Sequence, residues 1–264
     1  MEFTTDSILQ LAKSAGDAIM GIYEKDFAIY DKSDSSPLTE ADLASHHIIV
    51  DGLKLLTPDI PVLSEESSEE VKSERLNWTR YWLIDPLDGT KEFIKKNGEF
   101  TVNIALIEHG QPTFGVVYAP ALDTYYWGGK DSGAFKRAGR EDTTAIQVAP
   151  VPEQSSGWKV VGSRSHQSEE FKVFMQSLPN AEIVAMGSSL KLCLVAEGAA
   201  DLYPRLGLTS EWDTAAAHAV VLAAGGQVLE AETLKPLVYN SRPDTLLNPF
   251  FIVCTEPSPF WAQA

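Results

Sequence analysis

The stretch that decides the fold reads Tyr81-Trp82-Leu83-Ile84-Asp85-Pro86-Leu87-Asp88-Gly89-Thr90. Its apolar start predicts a buried β-strand, and the six residues that follow place two carboxylates and a hydroxyl on one tight turn. Pro86 fixes φ and Gly89 accepts a conformation that a side chain would forbid, so we expect a rigid bend. Oxygen ligands favour Mg²⁺ or Ca²⁺ over zinc. The stretch therefore predicts a site for a hard cation, although Asp and Gly are also ordinary turn residues.

Length and charge limit the classes of function. A chain of 264 residues that is 44% hydrophobic can bury one large core or two medium ones. A formal net charge of -16 argues against electrostatic binding to DNA, RNA or an anionic bilayer. We therefore expect no nucleic-acid polymer as a partner, and an anionic substrate would need bound cations to reverse the local field.

The cysteines and the apolar segments predict where the protein works. Cys193 and Cys254 lie in apolar stretches without CxxC spacing, which favours a reducing compartment over a disulfide framework. We expect no signal peptide and no transmembrane segment, since no apolar run approaches the ~18–20 residues of a membrane span. The expected location is the cytoplasm; peripheral contact with the cytoplasmic face of the inner membrane and the oligomeric state stay open.

Hydrophobic periodicity predicts an α/β (α+β) fold in two parts, residues 1–150 and 151–264. The first part opens with a helix capped at Thr5-Asp6 and a second helix behind the capping box at residues 39–42. Five strands of hairpin-like neighbours follow, at residues 60–63, 81–84, 101–107, 113–118 and 124–127. In the second part strands alternate with helices, at residues 159–162, 169–178, 182–186, 189–199, 201–204 and 213–224.

Two further carboxylates are candidates for the cation site. Glu65 follows a predicted strand and would emerge beside Asp85 if the two strands are neighbours, because sheets place ligands at strand ends. Alternatively, Glu65 belongs to the acidic run of residues 65–70, which is typical of a solvated loop. Asp213 lies in the first turn of a helix, where it either caps the helix together with Ser210 or binds a metal.

Three polar groups are candidates for catalysis or anion binding, each with a plainer alternative. Asp42 closes its capping box, or it accepts a hydrogen bond from Thr90 and so frees the hydroxyl oxygen to take a proton from water. The helix start at residues 187–191 suits a phosphate through free N–H groups and Lys191, but Gly-Ser-Ser is also a routine cap. Residues 163–166 offer anion donors, or they are surface residues.

Other mechanisms fail on spacing. The chain has no GxxxxGK[ST] loop and no HExxH, and neither cysteine is followed by an Arg-bearing phosphate loop. Asp85 and Asp88 are separated by three positions, whereas a haloacid-dehalogenase phosphatase has two aspartates separated by two. His46-His47 has no metal-ligand partner at a suitable spacing, and we interpret the pair as structural.

These residues resemble the lithium-sensitive, Mg²⁺-dependent inositol monophosphatase superfamily. Its signatures are a Glu-Glu pair, a D-P-[LI]-D-G-T turn and a W-D-x-A-A helix start, and all three occur here in order. Within it, the chain resembles the CysQ-type 3′(2′),5′-bisphosphate nucleotidases at residues 32–42, 82–93, 98–103 and 187–205. The resemblance covers essentially the whole chain. It implies a layered αβαβα sandwich of the inositol monophosphatase and fructose-1,6-bisphosphatase type.

The resemblance also implies a ligand set for two or three Mg²⁺ ions. Glu65, Asp85 and the Leu87 carbonyl would hold a first ion, and Asp85, Asp88 and Asp213 a second. Two carboxylates ~4 Å apart repel by ~4 kcal/mol at an effective dielectric near 20, so such a cluster presupposes its cations. The implied catalytic residues are Asp42, Thr90 and Glu65. By the same resemblance, substrate is bound by Glu65, Leu87, Asp88, Gly89, Thr90, Ser163, His166, Gly187, Lys191 and Asp213, with Arg205 as an additional cationic contact.

The function so implied is Mg²⁺-dependent hydrolysis of adenosine 3′,5′-bisphosphate to AMP and phosphate, by in-line attack of a metal-activated water. The sulfated analogue is a further candidate substrate. An inositol or sugar phosphatase on the same scaffold is the nearest alternative, because the metal site is common to both. A non-catalytic, acidic metal-binding interaction protein is the remote one, since it leaves Thr90 and the helix start at Gly187 without a role.

Overall fold

A computed structural model describes residues 3–25, 29–31, 37–153, 157–162 and 168–262. Within them the seven α-helices are α1 Thr5–Tyr23, α2 Glu40–Leu56, α3 Glu69–Glu74, α4 Thr90–Ile94, α5 Glu169–Gln176, α6 Leu190–Ala196 and α7 Glu211–Ala223. The strands of the first part are β1 Ile29–Asp31, β2 Pro37–Thr39, β3 Val62–Ser64, β4 Arg80–Asp88, β5 Thr101–Glu108, β6 Gln111–Ala119, β7 Thr124–Gly129, β8 Gly133–Ala138 and β9 Thr144–Ile146. Those of the second part are β10 Lys159–Gly162, β11 Glu182–Ala185, β12 Leu202–Arg205, β13 Gln227–Glu230 and β14 Phe251–Cys254.

The elements form five layers. A seven-stranded sheet runs in chain order from β3 to β9, and a five-stranded sheet has the order β11-β10-β12-β14-β13. Helices α1 and α2 cover the outer face of the large sheet, α6 and α7 lie between the sheets, and α5 covers the small sheet. Each helix layer buries its own apolar cluster, so the αβαβα sandwich expected from the sequence is confirmed.

Strand β4 is buried on both faces, which explains its apolar start. Trp82 and Ile84 pack with α1 and α2, whereas Tyr81 and Leu83 face the core that contains α7. Alternate side chains of a strand point to opposite faces, and here both faces are covered by helices. The end of the strand that carries Asp85 and Asp88 is thereby held on two sides.

Helix α7 is apolar around most of its circumference because it lies between the two sheets. It approaches β6 so closely that a Cβ added at Gly115 would lie 2.2 Å from the Ala216 carbonyl oxygen. Only glycine leaves room for that approach. A helix of the second part is therefore packed directly on the sheet of the first part.

The structure corrects two local predictions. Thr4, and not Thr5-Asp6, caps α1, with Ser7 completing the box. The rigid bend at residues 85–88 is strand: β4 continues to Asp88, with a shift in register against β5 between Asp85 and Asp88. Such a bulge lets both aspartates stay in the sheet while it changes where they point.

Other predictions about the chain have mixed outcomes. Along the chain, the predicted boundary near residue 150 falls after β9, the last strand of the large sheet, and before β10 of the small sheet. The division into two domains stays a prediction. Strands β8, β9, β13 and β14 were not predicted, because their short runs lack a clear alternation. The C-terminal Trp261 is 2% exposed and packs on the body, 6.4 Å from the Phe174 ring.

Candidate active site

Two neighbouring strands bring the first acidic side chains together. Strands β3 and β4 are parallel, with Ser64 opposite Ile84, and the Glu65 N–H donates to the Ile84 carbonyl at 3.1 Å. Glu65 therefore lies beside Asp85, as expected if the strands were neighbours. A hydrogen bond also links the two carboxyl groups.

Asp213 reaches the same place from α7. Its carboxylate accepts a hydrogen bond from the Ser210 N–H at 2.9 Å, which completes the capping box of the helix. One carboxylate oxygen from each of Asp85, Asp88 and Asp213 lies within 4.8 Å of the other two. Asp213 therefore caps α7 and also belongs to the acidic group. We call Glu65, Asp85, Asp88 and Asp213 the carboxylate cluster.

Burial makes the three aspartates of the carboxylate cluster reluctant to ionise. It raises the pKa of Asp85 well above the ordinary value, and the charges of Glu65, Asp88 and Asp213 add to the rise. Burial, with the charges of Asp88 and Glu65, raises the pKa of Asp213 from 3.8 to about 8. A divalent cation with oxygen ligands fits this donor set, because it offsets the repulsion that the buried carboxylates impose on one another.

Asp88 has a second kind of neighbour. Burial raises its pKa from 3.8 to about 6, but the Lys191 ammonium and the Ser189 backbone N–H act in the opposite direction. Both come from the segment that enters α6. The helix start at residues 187–191, predicted to suit a phosphate, therefore lies next to the carboxylate cluster.

Thr90 connects the strand end to α2. Its hydroxyl lies 3.2 Å from Asp42 Oδ1 and 3.3 Å from the Leu87 carbonyl oxygen. Asp42 is 1% exposed, and its other oxygen, Oδ2, accepts hydrogen bonds from the Thr39 N–H at 2.8 Å and the Thr39 hydroxyl at 2.6 Å. Asp42 thus closes its capping box with one oxygen and faces Thr90 with the other, so the two alternatives coexist.

Gly89 sets the start of α4 and the path of the chain past the cluster. Its φ is +91°, and an added Cβ would lie 3.0 Å from the Glu99 carbonyl oxygen. Gly187 is similarly confined, since a Cβ there would lie 2.9 Å from Glu92 Cγ. Gly89 is needed for its left-handed conformation, and Gly187 because the loops of the two parts of the chain approach each other closely at this point.

A pocket of about 430 Å³ opens beside the carboxylate cluster. Gly187, Tyr203 and Met186 are among its lining residues, and its charged lining residues are Lys91, Glu92, Lys95, Lys191 and Arg205. We call it the cationic pocket, because four cations and one carboxylate line it in a chain whose net charge is -16. Arg205 donates through Nη2 to the Leu208 carbonyl at 2.8 Å.

Sequence reasoning missed part of this pocket. Lys91 lies in α4 and Lys95 is its C-cap, and their separation by four positions indicates that both side chains lie on one side, although it does not show that they line a pocket. Tyr203 gave no signal, because a tyrosine in a strand is ordinary. Ser163 and His166, predicted to bind substrate, lie outside the described residues.

The helix that carries Asp213 is anchored by a buried polar network that the sequence did not reveal. The Glu211 carboxylate accepts the Asn240 N–H at 2.9 and 3.1 Å. Arg75, 3% exposed, donates to Asn240 Oδ1 at 2.5 Å and to the Arg242 carbonyl at 2.7 Å. The chain segment after Glu65 and the start of α7 are thus tied to one loop.

The remaining titratable groups are structural in their contacts. His46 lies within α2, and its Nδ1 is 2.8 Å from the Ser64 hydroxyl. Cys193 and Cys254 are buried free thiols, and burial raises the pKa of both. Among the described helices, none combines the length and the apolar composition that crossing a bilayer requires.

Comparison with known proteins matches residues 1–253 to the inositol monophosphatase family. The 3′(2′),5′-bisphosphate nucleotidase CysQ of Escherichia coli (strain K12) is 50% identical over 250 residues, which cover 94% of this chain and 98% of that protein. The protein of the same name from Haemophilus influenzae is 36% identical over 265 residues, covering 98% of this chain and 96% of that protein.

Solved structures show the same similarity. The crystal structure of CysQ from Bacteroides thetaiotaomicron, a bacterial member of the inositol monophosphatase family, superposes with a TM-score of 0.83 at 39% identity. The match covers 97% of this chain and 99% of that one. An inositol monophosphatase from Anabaena superposes with a TM-score of 0.70 at 25% identity, covering 95% of this chain and 89% of that one.

Proposed function

The chain belongs to the inositol monophosphatase family, and from that premise we propose that it removes the 3′-phosphate of adenosine 3′,5′-bisphosphate at the carboxylate cluster, releasing AMP. The family is one of metal-dependent phosphatases, and relatives with half of their residues identical to this chain are 3′(2′),5′-bisphosphate nucleotidases. The chain is accordingly a phosphoric monoester hydrolase of that kind. The metal is Mg²⁺ in this proposal, with two or three ions held by Glu65, Asp85, Asp88, Asp213 and the Leu87 carbonyl.

The position of Lys191 is the observation that supports this choice of substrate. It lines the cationic pocket, and its ammonium acts on Asp88 of the carboxylate cluster. A phosphate at the cluster and a second phosphate in the pocket can therefore belong to one molecule. A neutral polyol with a single phosphate has no second phosphate to interact with Lys91, Lys95 and Arg205.

Thr90 and Asp42 handle the proton of the attacking water. The Thr90 hydroxyl has one proton and two acceptors, Asp42 Oδ1 at 3.2 Å and the Leu87 carbonyl at 3.3 Å. Donation to the Asp42 carboxylate leaves the Thr90 oxygen free to accept a hydrogen bond from water. As the water oxygen attacks phosphorus in line, the water proton passes to Thr90 and the Thr90 proton passes to Asp42. The bond from phosphorus to the ribose oxygen breaks as the new bond forms, and the ribose oxygen leaves with the bonding electron pair and takes up a proton from solvent to become the 3′-hydroxyl of AMP. When bound, Mg²⁺ supplies the charge that lowers the pKa of water and stabilises the phosphoryl oxygens.

The Thr90 hydroxyl distinguishes this proposal from a non-catalytic metal-binding protein. Cation binding alone needs the carboxylates, but it does not need a hydroxyl held between a buried carboxylate and a carbonyl beside them. The sulfated nucleotide analogue fits the same pocket, because its 3′-phosphate is unchanged. We also propose a cytoplasmic location, since two buried free thiols suit a reducing compartment.

Phosphate release from adenosine 3′,5′-bisphosphate, in the presence and absence of Mg²⁺, tests the proposal. We expect Mg²⁺-dependent release with a kcat/KM at least about tenfold above that for inositol 1-phosphate or a sugar phosphate. Equal or better use of inositol 1-phosphate would support a polyol phosphatase instead. Absence of release from every substrate, with Mg²⁺ still bound, would support the non-catalytic alternative.

A further inference from the structure

Strand β5 carries two buried polar side chains among apolar ones. Thr101 is 0% exposed and Asn103 is 1% exposed, and the strand around them is apolar, with Val102, Ile104 and Ala105 also buried. In the pairing of β4 with β5, Thr101 is opposite Asp88 and Asn103 is opposite Asp85. The two buried polar residues therefore stand beside the two aspartates of the carboxylate cluster.

Both side chains reach across to the second part of the chain. The Ser189 hydroxyl lies 2.8 Å from Asn103 Oδ1 and 2.9 Å from the Thr101 hydroxyl, and Asn103 Nδ2 lies 3.2 Å from the Thr101 hydroxyl. Ser189 itself is 2% exposed. We call these three residues the polar ring.

The three hydrogen bonds of the polar ring run in one direction around it. Ser189 donates its one proton to Asn103 Oδ1, so Thr101 donates to Ser189, and Asn103 Nδ2 donates to Thr101. Each hydroxyl then donates once and accepts once. Because all three groups are buried, removal of one member leaves the other two with hydrogen-bonding atoms that water does not reach.

The backbone on both sides of Ser189 belongs to the functional site. Its own backbone N–H favours the charged form of the Asp88 carboxylate. Gly187 and Lys191 line the cationic pocket. Ser188, between them, has a φ of +47°, a left-handed conformation that a serine adopts at a cost when its surroundings enforce it.

We propose that Ser189 is a positioning residue: its hydroxyl, held by Thr101 and Asn103, fixes the loop of residues 187–191 against β5, which is paired with the strand that carries Asp85 and Asp88. The polar ring thereby keeps the distance between the metal site and the second-phosphate pocket constant. Its members contact neither substrate nor metal in this role. The consequence for the reaction rests on the proposed function, whereas the consequence for the loop does not.

The test compares isosteric losses of one buried hydroxyl. Ser189→Ala and Thr101→Val each open the polar ring, and Thr101→Ser keeps the hydroxyl as a rescue variant. Thr57→Val is the matched control, because the Thr57 hydroxyl is also buried, accepts the Trp82 indole N–H at 2.9 Å and donates to the Leu53 carbonyl at 3.0 Å. It lies at the far end of α2 from Asp42.

We expect both ring variants to raise KM for adenosine 3′,5′-bisphosphate about tenfold, with a smaller change in kcat. Thr57→Val should lower the melting temperature to a similar degree and leave KM unchanged. Thr101→Ser should restore a KM close to that of the wild type. Ring variants that lose melting temperature as Thr57→Val does, with KM unchanged, would overturn the proposal, as would a Thr101→Ser variant with the KM of Thr101→Val.

Hydrogen–deuterium exchange of the peptide around residues 187–193 supplies a readout that needs no substrate. We expect exchange about tenfold faster in Ser189→Ala and Thr101→Val than in the wild type and in Thr57→Val. If the ring variants exchange faster but the wild type does not hydrolyse the bisphosphate, the positioning role would be supported and the proposed function refuted. Unchanged exchange in an active enzyme would refute the positioning role and leave the proposed function intact.

Discussion

The carboxylate cluster and the cationic pocket lie side by side, but they are built in opposite ways. The acids stand at strand ends and in the first turn of a helix, and Asp85 is 1% exposed. Of the four pocket cations, Lys91 is exposed on a five-residue helix and Lys95 is exposed at its C-cap. In the proposed function, the rigid frame therefore sets the chemistry, and the choice of substrate depends on long side chains that can change without disturbing that frame.

Asp85→Asn tests the cluster most severely. Asp85 is the central member, with Glu65, Asp88 and Asp213 all acting on it, so we expect turnover to fall by roughly a thousandfold or more, together with loss of Mg²⁺ binding. Phosphate release and calorimetric titration with Mg²⁺ measure the two losses. The fold should persist, because the substitution removes a buried charge and keeps the shape; Mg²⁺-dependent turnover at the wild-type level would contradict the role of the cluster.

Thr90→Val tests whether the frame supplies a proton path as well as ligands. It removes the hydroxyl between Asp42 and the Leu87 carbonyl, and we expect kcat to fall about a hundredfold with little change in KM. Thr90→Ser is the matched control and should keep most of the activity. A serine variant as slow as the valine variant would show that the methyl group, and not the proton path, matters.

Lys191→Ala tests the pocket. We expect KM for adenosine 3′,5′-bisphosphate to rise about tenfold and KM for inositol 1-phosphate to change less, because only the first substrate carries a second phosphate. Lys96→Ala is the control, since Lys96 lies 5.9 Å from the centre of the Tyr23 ring and does not line the pocket. An equal rise in KM for both substrates would remove Lys191 from recognition of the second phosphate.

The smallest expected effect concerns the cluster without its metals. Burial raises the pKa of Asp213 from 3.8 to about 8. Between about pH 4 and pH 8 the folded state therefore keeps a proton on Asp213 that the unfolded state has already lost. The free energy of unfolding therefore falls as pH rises from about 4 to 8. In EDTA we expect a melting temperature roughly 5 °C lower at pH 8 than at pH 6, and Mg²⁺ should remove the difference.

Asp213→Asn is the control for that titration. Without the raised carboxyl group, the pH dependence of the melting temperature in EDTA should be smaller. A slope equal to that of the wild type would assign the effect to general repulsion among the excess negative charges of the chain.

The sequence predicted the cluster and its neighbours well because their positions follow from local rules. Glu65 comes one residue after a strand, Asp85 ends an apolar run, and Asp213 is in a first helical turn. Pairing of β3 with β4 then brings Glu65 to Asp85. The assumption that these strands are neighbours was a long-range step that the structure confirmed. The approach of Asp213 to Asp85 was a second long-range step, which only the family resemblance implied.

The rest depended on contacts that no local pattern contains. The polar ring joins Thr101 and Asn103 to a serine 88 and 86 positions away. The bulge in β4 depends on how β5 pairs with it, so the same residues were predicted as a bend. Lys91 and Lys95 became pocket residues only when the second part of the chain supplied the opposite wall.

The place of α7 between the two sheets has a consequence for how the enzyme fails. Asp213 is carried by a helix whose contact at Gly115 leaves no slack, so it cannot leave Asp85 unless the central layer of the molecule separates. Thermal inactivation should then be all-or-none, with activity and fold disappearing at one rate set by global unfolding.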